Sequence, residues 1–256
     1  MKIAITGKGG VGKTSLSALL INHLAEKGKR VIAVDADPDT NLASALGFSD
    51  AEDIVPISEM SSLIEERTGA KPGSSGSFFK LNPKVDDLPE KLSKVKNNIR
   101  LMVMGTVKKG GSGCVCPESV LLKNLINHLV LHRDDVVIMD MEAGIEHLGR
   151  GTSSVVDALI VVVEPGMRSI ETSNKIKALS TDLGINRMAI VGNKIRKKSD
   201  EDFIKENIKG IDIIGFIPFD DNLIESDMKG IPASSYFSEN IEIIIQKIIY
   251  PNTEDQ

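Results

Sequence analysis

The sequence contains few cysteines, no long apolar run and no excess of basic residues. Only 2 of the 256 residues are cysteine, which excludes a scaffold built on several disulfides. No apolar run approaches the roughly 20 residues that a transmembrane helix requires. The formal net charge is −5, whereas nucleic-acid-binding proteins usually carry an excess of positive charge. We therefore expect neither a membrane nor a nucleic acid as partner.

The composition is that of a globular protein. Hydrophobic residues make up 41% of the chain, which predicts one large domain over residues 1–256. The first residues, MKIAITGKGG, lead directly into a strand-like segment and lack the pattern of a signal peptide. We therefore expect a cytoplasmic protein, in which neighbouring cysteines bind metal or carry out redox chemistry more often than they form a structural disulfide.

Short β-branched runs alternate with segments of helical spacing. The predicted strands begin at Lys2, Arg30, Ile99, Asp135, Ala158, Met188 and Ile213. The clearest predicted helices cover residues 14–27, 117–132, 169–183 and 200–208. This alternation predicts an α/β fold, a doubly wound and mainly parallel sheet of seven or eight strands with helices on both faces. In such sheets ligands bind at the carboxyl ends of the strands, so the loops that follow the strands are the candidate site.

The segment GKGGVGKTS, residues 7–15, follows the first predicted strand and opens the first helix. It matches the phosphate-loop pattern G-x-x-x-x-G-K-[ST], in which backbone N–H groups surround phosphate oxygens and the helix N-terminus adds positive charge. We expect Lys13 to reach the β- and γ-phosphates and the Thr14 hydroxyl to bind Mg²⁺. The predicted nucleotide contacts here are Gly7, Lys8, Gly9, Gly10, Val11, Gly12, Lys13, Thr14 and Ser15.

Carboxylates follow two further strands. The second strand leads into VDADPDTNL, with Asp35 at its end and Asp37 in the loop, and the apolar strand of VVIMDMEAG leads to Asp140. In a Mg²⁺-dependent hydrolase one carboxylate holds a metal-bound water while another polarises the attacking water. We expect Asp35 near the metal shell, and we interpret Asp39 as a cap of the next helix.

These motifs together resemble the deviant Walker A ATPases, which include the nitrogenase iron protein and the MinD-like cell-division and partition ATPases. The loop has the form K-G-G-x-G-K-[ST], and the family's early lysine corresponds to Lys8. The resemblance implies that Lys8 crosses a dimer interface to the partner's phosphates, so that ATP closes a homodimer. It also implies that Asp37 activates water, that Asp140 holds a Mg²⁺-bound water and that Gly144 donates its N–H to the γ-phosphate.

The same resemblance implies where the base binds. Asn193 and Lys194 end the strand of MAIVGNK, where the family has its adenine-contacting asparagine, and Pro218 lies in a second adenine loop. An asparagine amide has the donor and the acceptor needed to read an adenine edge. Glu142 differs from the small or hydroxyl residue that the family has there, and its role is unassigned.

Both cysteines lie in one loop, KKGGSGCVCPE, before the helix that begins near Pro117. We expect the dipole of this helix to lower the pKa of the thiols and so to favour the metal-binding thiolate. Cys114 and Cys116 give only two soft ligands, whereas a structural zinc site normally has four. In a face-to-face dimer two such pairs would supply four thiolates to one Ni²⁺, Zn²⁺ or iron–sulfur site on the two-fold axis.

Several segments are similar to those of the CooC-type nickel-insertion ATPases, the accessory proteins of carbon monoxide dehydrogenase. They are the cysteine loop, MDMEAGIEHLGRGT, LNPKVDD and VGNKI, so the resemblance covers essentially the whole chain. The AcsF-type proteins, which serve acetyl-CoA synthase, share much of the pattern. The resemblance implies an ATP-dependent homodimer that carries nickel or assists its insertion into a Ni–Fe–S cluster of one of these clients.

Two alternatives share the nucleotide site. An electron donor similar to the nitrogenase iron protein would hold an iron–sulfur cluster at the interface, and a MinD- or ParA-like positioning ATPase would give the cysteines no role. The native metal, the client and the roles of His147 and of the loop over residues 69–87 remain unassigned at this level.

Overall fold

The computed structural model describes residues 1–73, 78–105, 116–132, 135–142, 156–185, 187–228 and 237–250. A central sheet of eight strands runs through these residues. The strands are β1 (Lys2–Gly7), β2 (Val31–Ala36), β3 (Lys94–Lys96), β4 (Ile99–Val103), β5 (Val136–Met141), β6 (Ala158–Val163), β7 (Met188–Ile195) and β8 (Asp212–Pro218). Their order across the sheet is β3-β4-β2-β5-β1-β6-β7-β8, and every pair except β3–β4 is parallel. The predicted fold class is confirmed.

The strands at the centre of the sheet are buried on both faces. All residues of β1, β2 and β6 are buried, because helices cover the sheet on each side. Along β1, Ile3 and Ile5 belong to one apolar cluster and Ala4 to the other. The continuous apolar runs in the sequence therefore reflect parallel strands with two buried faces, and they carry no polar alternation.

The strand β3 was not predicted. It is three residues long and pairs antiparallel with β4 through a tight turn at residues 97–98. Asn97 has a φ of 52°, the left-handed conformation that asparagine tolerates in such turns. The Asn-Asn pair was the available signal, but a lysine-rich strand at the edge of the sheet lacks the apolar pattern by which the others were found.

Helices lie on both faces of the sheet. In the described residues they are α1 (Lys13–Glu26), α2 (Leu42–Ala45), α3 (Ser61–Thr68), α4 (Leu88–Leu92), α5 (Pro117–His132), α6 (Met167–Leu183), α7 (Lys198–Asn207), α8 (Asp221–Met228) and α9 (Ser238–Ile249). The four predicted helices match α1, α5, α6 and α7 to within two residues at each end. None of the described helices has both the length and the apolar character that crossing a bilayer demands.

The loop over residues 69–87 is held at both ends, and residues 74–77 lie outside the described ranges. Arg67, in the last turn of α3, donates two hydrogen bonds to Asp87, at 2.9 Å to Oδ1 and 2.8 Å to Oδ2. Asn124 of α5 donates to the carbonyl oxygen of Leu81 at 3.1 Å. The bidentate pair closes the loop onto α3, while the side chain of Phe78 remains fully exposed.

The C-terminal helix α9 packs on β8. Ile244 is fully buried and lies directly over Gly215, where a β-carbon would clash with the isoleucine side chain. Its neighbour Ile243 points away from the sheet and has 45% of its side chain exposed. One face of α9 therefore completes the core on this side of the sheet.

Ile244→Ala should lower the free energy of unfolding by about 2–5 kcal/mol, because it removes three buried carbon atoms and leaves a cavity over Gly215. Ile243→Ala, the same change one residue earlier, should cost about 1 kcal/mol or less. Urea denaturation followed by circular dichroism measures both. Equal losses in the two variants would show that α9 does not pack as described.

Candidate functional site

The phosphate loop connects β1 to α1 and is confined by the neighbouring strands. Gly7 pairs with Val162 of β6, whose carbonyl oxygen occupies the space of a β-carbon. Gly12 precedes the first turn of α1 with a φ of 93°, and the amide of Asn193 fills the place of its β-carbon. Glycine is therefore required at both positions, by close approach at Gly7 and by close approach together with positive φ at Gly12.

Lys13 forms an ion pair with Asp37 across the site. Its Nζ lies 3.6 Å from Asp37 Oδ2, and both side chains are largely buried. The other oxygen, Oδ1, accepts a hydrogen bond from the N–H of Asp39 at 3.1 Å. The structure therefore brings together the two residues that the sequence assigned to phosphate binding and to water activation.

Asp35 organises the loop that carries Asp37. Its Oδ1 accepts from the N–H of Asp37 at 3.2 Å and its Oδ2 from the N–H of Leu42 at 3.0 Å. Burial raises the pKa of Asp35 to about 7, and these two hydrogen bonds oppose that shift. The carboxylate thus satisfies the first N–H of α2.

The expected capping of α2 by Asp39 was wrong. The residue before the helix is Asn41, its side chain makes no capping hydrogen bond, and the N–H of Leu42 is already satisfied by Asp35. A buried carboxylate at the end of β2 reaches this N–H because the chain turns back over the strand after Ala36.

Asp140, at the carboxyl end of β5, is the buried carboxylate beside the phosphate loop. Its Oδ1 lies 3.1 Å from Ser17 Oγ, one turn into α1, and its Oδ2 is buried without a hydrogen-bond partner among the described residues. Burial raises the pKa of Asp140 to about 6, and the nearby hydroxyl groups of Thr14 and Ser17 oppose the shift. A buried oxygen without a partner beside the Thr14 hydroxyl fits a hard cation with oxygen ligands, such as Mg²⁺.

A cavity of about 630 Å³ opens beside these groups, which lies within the range of about 300–1,000 Å³ for small-molecule sites. Its lining consists of Gly9, Gly10, Gly12, Lys13, Thr14, Ser15, Asp37, Asp39, Asn41, Ser44, Ala45 and Glu142. The lining thus combines the loop glycines, the N-terminus of α1 and carboxylates from the loops that follow β2 and β5. Glu142, unassigned from sequence, lies at its wall, and its carbonyl oxygen accepts from the Thr6 hydroxyl at 2.8 Å.

The residues assigned to the adenine lie outside this cavity lining. Asn193 donates from Nδ2 to the carbonyl oxygen of Val11 at 2.8 Å, and Lys194 donates from Nζ to that of Gly10 at 2.6 Å. Both side chains therefore brace the phosphate loop from β7. Pro218 ends β8 beside Ile195 and is exposed. The adenine contacts remain a prediction.

Cys116 differs from its expected environment. Its side chain is buried, its thiol donates to Ser119 Oγ at 3.0 Å, and burial raises the pKa of the thiol, with the neighbouring Glu118 acting in the same direction. The expected lowering of the pKa by the dipole of α5 was wrong for this thiol, because desolvation outweighs the dipole. Within the described residues, no three His, Cys, Asp or Glu side chains are grouped to hold a metal ion. Cys114, Gly144 and His147 lie outside the described residues.

Sequence reasoning missed Ser17 and Glu164. Ser17 lies one helical turn after Lys13, a spacing that places its hydroxyl on the face of α1 toward β5. Glu164 follows β6 and lies between the ammonium groups of Lys8, at 3.6 Å, and Lys194, at 3.3 Å. A carboxylate at the end of an apolar strand was a signal for it, but the strand's place beside β1 is known only from the sheet order.

Comparison with known proteins gives a consistent assignment. Residues 2–233 match the model of the CobQ/CobB/MinD/ParA nucleotide binding domain. The chain is 50% identical to an ATP-binding protein of Methanocaldococcus jannaschii, over 97% of this chain and 98% of that protein. It is 47% identical to the carbon monoxide dehydrogenase accessory protein CooC of Rhodospirillum rubrum, over 90% and 88%. The MinC:MinD cell division protein complex of Aquifex aeolicus shares the fold, with a TM-score of 0.67 and 24% identity over 99% of this chain and 96% of that chain.

Asp140→Asn should stabilise the nucleotide-free chain and weaken Mg²⁺-dependent nucleotide binding. The pKa of Asp140 is raised from 3.8 to about 6, so the ionised carboxylate costs stability as the pH rises from about 4 to about 6, and the cost is constant above that. The gain over wild type should grow through this window to about 1–3 kcal/mol. Urea denaturation at pH 4, 5, 6 and 8 measures it.

Asp182→Asn is the matched control, because this aspartate is exposed on α6. Its difference from wild type should stay small at each of these pH values. A constant difference for Asp140→Asn as well would contradict the raised pKa, and unchanged binding of the Mg²⁺ nucleotide would contradict the assignment of Asp140 to the metal shell.

Proposed function

The chain belongs to the CobQ/CobB/MinD/ParA nucleotide-binding family, and from that membership we propose that it is a Mg²⁺-dependent ATPase that acts as an accessory protein in the maturation of a nickel enzyme. The proposed client is carbon monoxide dehydrogenase or acetyl-CoA synthase, and the proposed cargo is Ni²⁺. The nucleotide chemistry rests on the buried Oδ2 of Asp140, which has no hydrogen-bond partner among the described residues. It lies beside a phosphate loop whose lysine, Lys13, is paired with Asp37. The 47% identity to CooC supports the choice of client.

The phosphate end of ATP would bind in the cavity. Backbone N–H groups of residues 9–15 would face its oxygens, and Lys13 would leave Asp37 for the β- and γ-phosphates, since a phosphate carries more charge than one carboxylate. The Thr14 hydroxyl would hold Mg²⁺, with Asp140 acting on it through water. The bound ion would neutralise charge that develops on the phosphates during transfer.

Hydrolysis would then depend on Asp37. Once Lys13 has moved to the phosphates, the Asp37 carboxylate is free to accept a proton from, or to orient, the attacking water. The hydrogen bonds that Asp35 accepts from the loop hold the backbone of Asp37 in place during that exchange. In this mechanism Asp37, which lines the cavity, acts on the water, and Asp35, which is fully buried in β2, holds the loop in place.

Asp37→Asn should lower the rate of ATP hydrolysis by about 10²–10⁴-fold, because the amide cannot take the proton. Nucleotide affinity should be retained or rise, because Asp37 no longer competes with the phosphates for Lys13. Release of inorganic phosphate measures the rate, and equilibrium binding of a fluorescent ATP analogue measures the affinity. Asp53→Asn, at an exposed position farther along the chain, is the control. An unchanged rate in Asp37→Asn would remove this aspartate from the mechanism.

We further propose that ATP closes a homodimer through Lys8. Its ammonium group lies outside the cavity lining and is partly exposed, with 35% of the side chain accessible, so it is available to a second copy of the chain. A lysine that reaches the partner's phosphates adds positive charge where an arginine finger acts in other nucleotide hydrolases. Dimerisation and hydrolysis would then be coupled.

The proposed metal site consists of Cys114 and Cys116 from both copies. In the single chain Cys116 is buried and hydrogen-bonded to Ser119, so metal binding requires its Sγ to leave that contact. Closure of the dimer would supply the change, since four thiolates suit Ni²⁺, and Zn²⁺ as a competitor on isolation. Nucleotide turnover would then tighten or open the site.

The double variant Cys114→Ala/Cys116→Ala should lose the Ni²⁺ that wild type binds with MgATP, about one ion per dimer by ligand count. It should retain ATP binding and should fail to activate nickel-free client enzyme. Metal analysis after gel filtration, together with activation assays on both candidate clients, measures these properties. Ser61→Ala/Ser62→Ala, two truncations at exposed positions on α3, is the matched control.

The outcome also separates the alternatives. Unchanged Ni²⁺ binding in the cysteine variant would overturn the cargo site, and a bound iron–sulfur cluster in wild type would favour the electron donor. Activation of neither client by wild type, with ATP hydrolysis intact, would leave a positioning ATPase.

A further inference from the structure

Glu164 lies between two lysines at the edge of the phosphate loop. Its Oε1 is 3.6 Å from Lys8 Nζ and its Oε2 is 3.3 Å from Lys194 Nζ. The residue follows β6 directly, and its backbone N–H donates to the buried Ser169 hydroxyl oxygen at 3.1 Å. The carboxylate is therefore carried by a fixed backbone and meets one lysine with each oxygen.

The two lysines are held in different ways. Lys194 also donates to the carbonyl oxygen of Gly10 at 2.6 Å, and its φ of 59° places it in the left-handed region, which its contacts must maintain. For Lys8, Glu164 is the carboxylate within ion-pair distance in the part of the chain that the structure describes. Lys194 is thus bound to the loop itself, whereas the ammonium group of Lys8 is held, within the described ranges, by this ion pair alone.

We propose that Glu164 is a positioning residue that retains Lys8 in its own subunit until a partner's phosphate displaces it. The inference rests on the proposed role of Lys8 in closing the dimer. The carboxylate and the partner's phosphate compete for one ammonium group, so Glu164 sets the threshold for dimerisation. It also favours ATP over ADP, because ADP lacks the γ-phosphate, the more highly charged competitor.

The size of the effect follows from the exposure of the pair. A partly exposed ion pair at 3.6 Å is weak. A two-fold dimer releases two such pairs, so the small contribution of each counts twice in the dimerisation constant. We therefore expect removal of the carboxylate to tighten the dimer by about 3- to 30-fold.

Glu164→Gln keeps the shape of the side chain and removes its charge. With Mg²⁺ and a non-hydrolysable ATP analogue at low salt, sedimentation should show a dimer tighter than wild type by about 3- to 30-fold, and a higher dimer fraction with ADP. The gain should shrink at about 0.5 M NaCl, where charges are screened. Glu171→Gln, the same change at an exposed position on α6, should behave as wild type.

A double-mutant cycle tests the route through Lys8. Lys8→Ala/Glu164→Gln should dimerise no better than Lys8→Ala alone, because the ion pair is already absent.

A second experiment measures the contact between Glu164 and Lys8 in the monomer. In nucleotide-free protein, labelling of Lys8 by an amine-reactive reagent, followed by peptide mass spectrometry, should be faster in Glu164→Gln than in wild type and in Glu171→Gln.

The possible failures are distinguishable. If wild type stays monomeric with the ATP analogue, the proposed dimer fails and the role of Glu164 fails with it. If wild type dimerises through Lys8 but Glu164→Gln gains nothing, or gains equally in the Lys8→Ala background, only the role of Glu164 is overturned. Unchanged labelling of Lys8 in Glu164→Gln overturns the retaining contact in either case.

Discussion

Two buried carboxylates at the carboxyl ends of neighbouring strands constrain the whole site. Asp35 of β2 and Asp140 of β5 are register partners, and the charge of Asp140 adds to the cost of ionising Asp35 in a region that excludes water. The chain resolves this in two ways. Asp35 accepts hydrogen bonds from two backbone N–H groups and becomes part of the scaffold, while one oxygen of Asp140 has no hydrogen-bond partner within the described residues. In the proposed function, Asp35 has a structural role and Asp140 a metal-binding role at the same level of the sheet.

The same balance of charge extends to the lysines of the phosphate loop. Lys13 is paired with Asp37, and Lys8 and Lys194 share Glu164. Each of these cations therefore has a carboxylate partner before any phosphate arrives. A nucleotide would exchange these partners for stronger ones and so release Asp37 and Glu164. Binding, water activation and contact with a second copy would become successive consequences of one redistribution of ion pairs.

The cysteine loop differs from the phosphate loop in how its reactive group is held. Its thiol at Cys116 is protonated and sheltered at the start of α5, with burial and Glu118 both acting against the thiolate. A soft metal would have to remove that proton and expose the sulfur. In the proposed function this protection keeps the isolated subunit from binding metal strongly, and it leaves the approach of a partner as the event that creates the site.

The sequence by itself determined the α/β class, the phosphate loop and most strand and helix positions, because apolar periodicity and the G-x-x-x-x-G-K-[ST] pattern are local properties of the chain. It could not determine the hydrogen-bond partners of Asp35, the burial of Cys116 or the place of Glu164. Those depend on which strands are neighbours in the sheet and on how much water each side chain keeps, and both are decided by contacts between residues far apart in the chain. The capping assigned to Asp39 and the low thiol pKa failed for that reason: each was a local rule that desolvation or a distant carboxylate overrode.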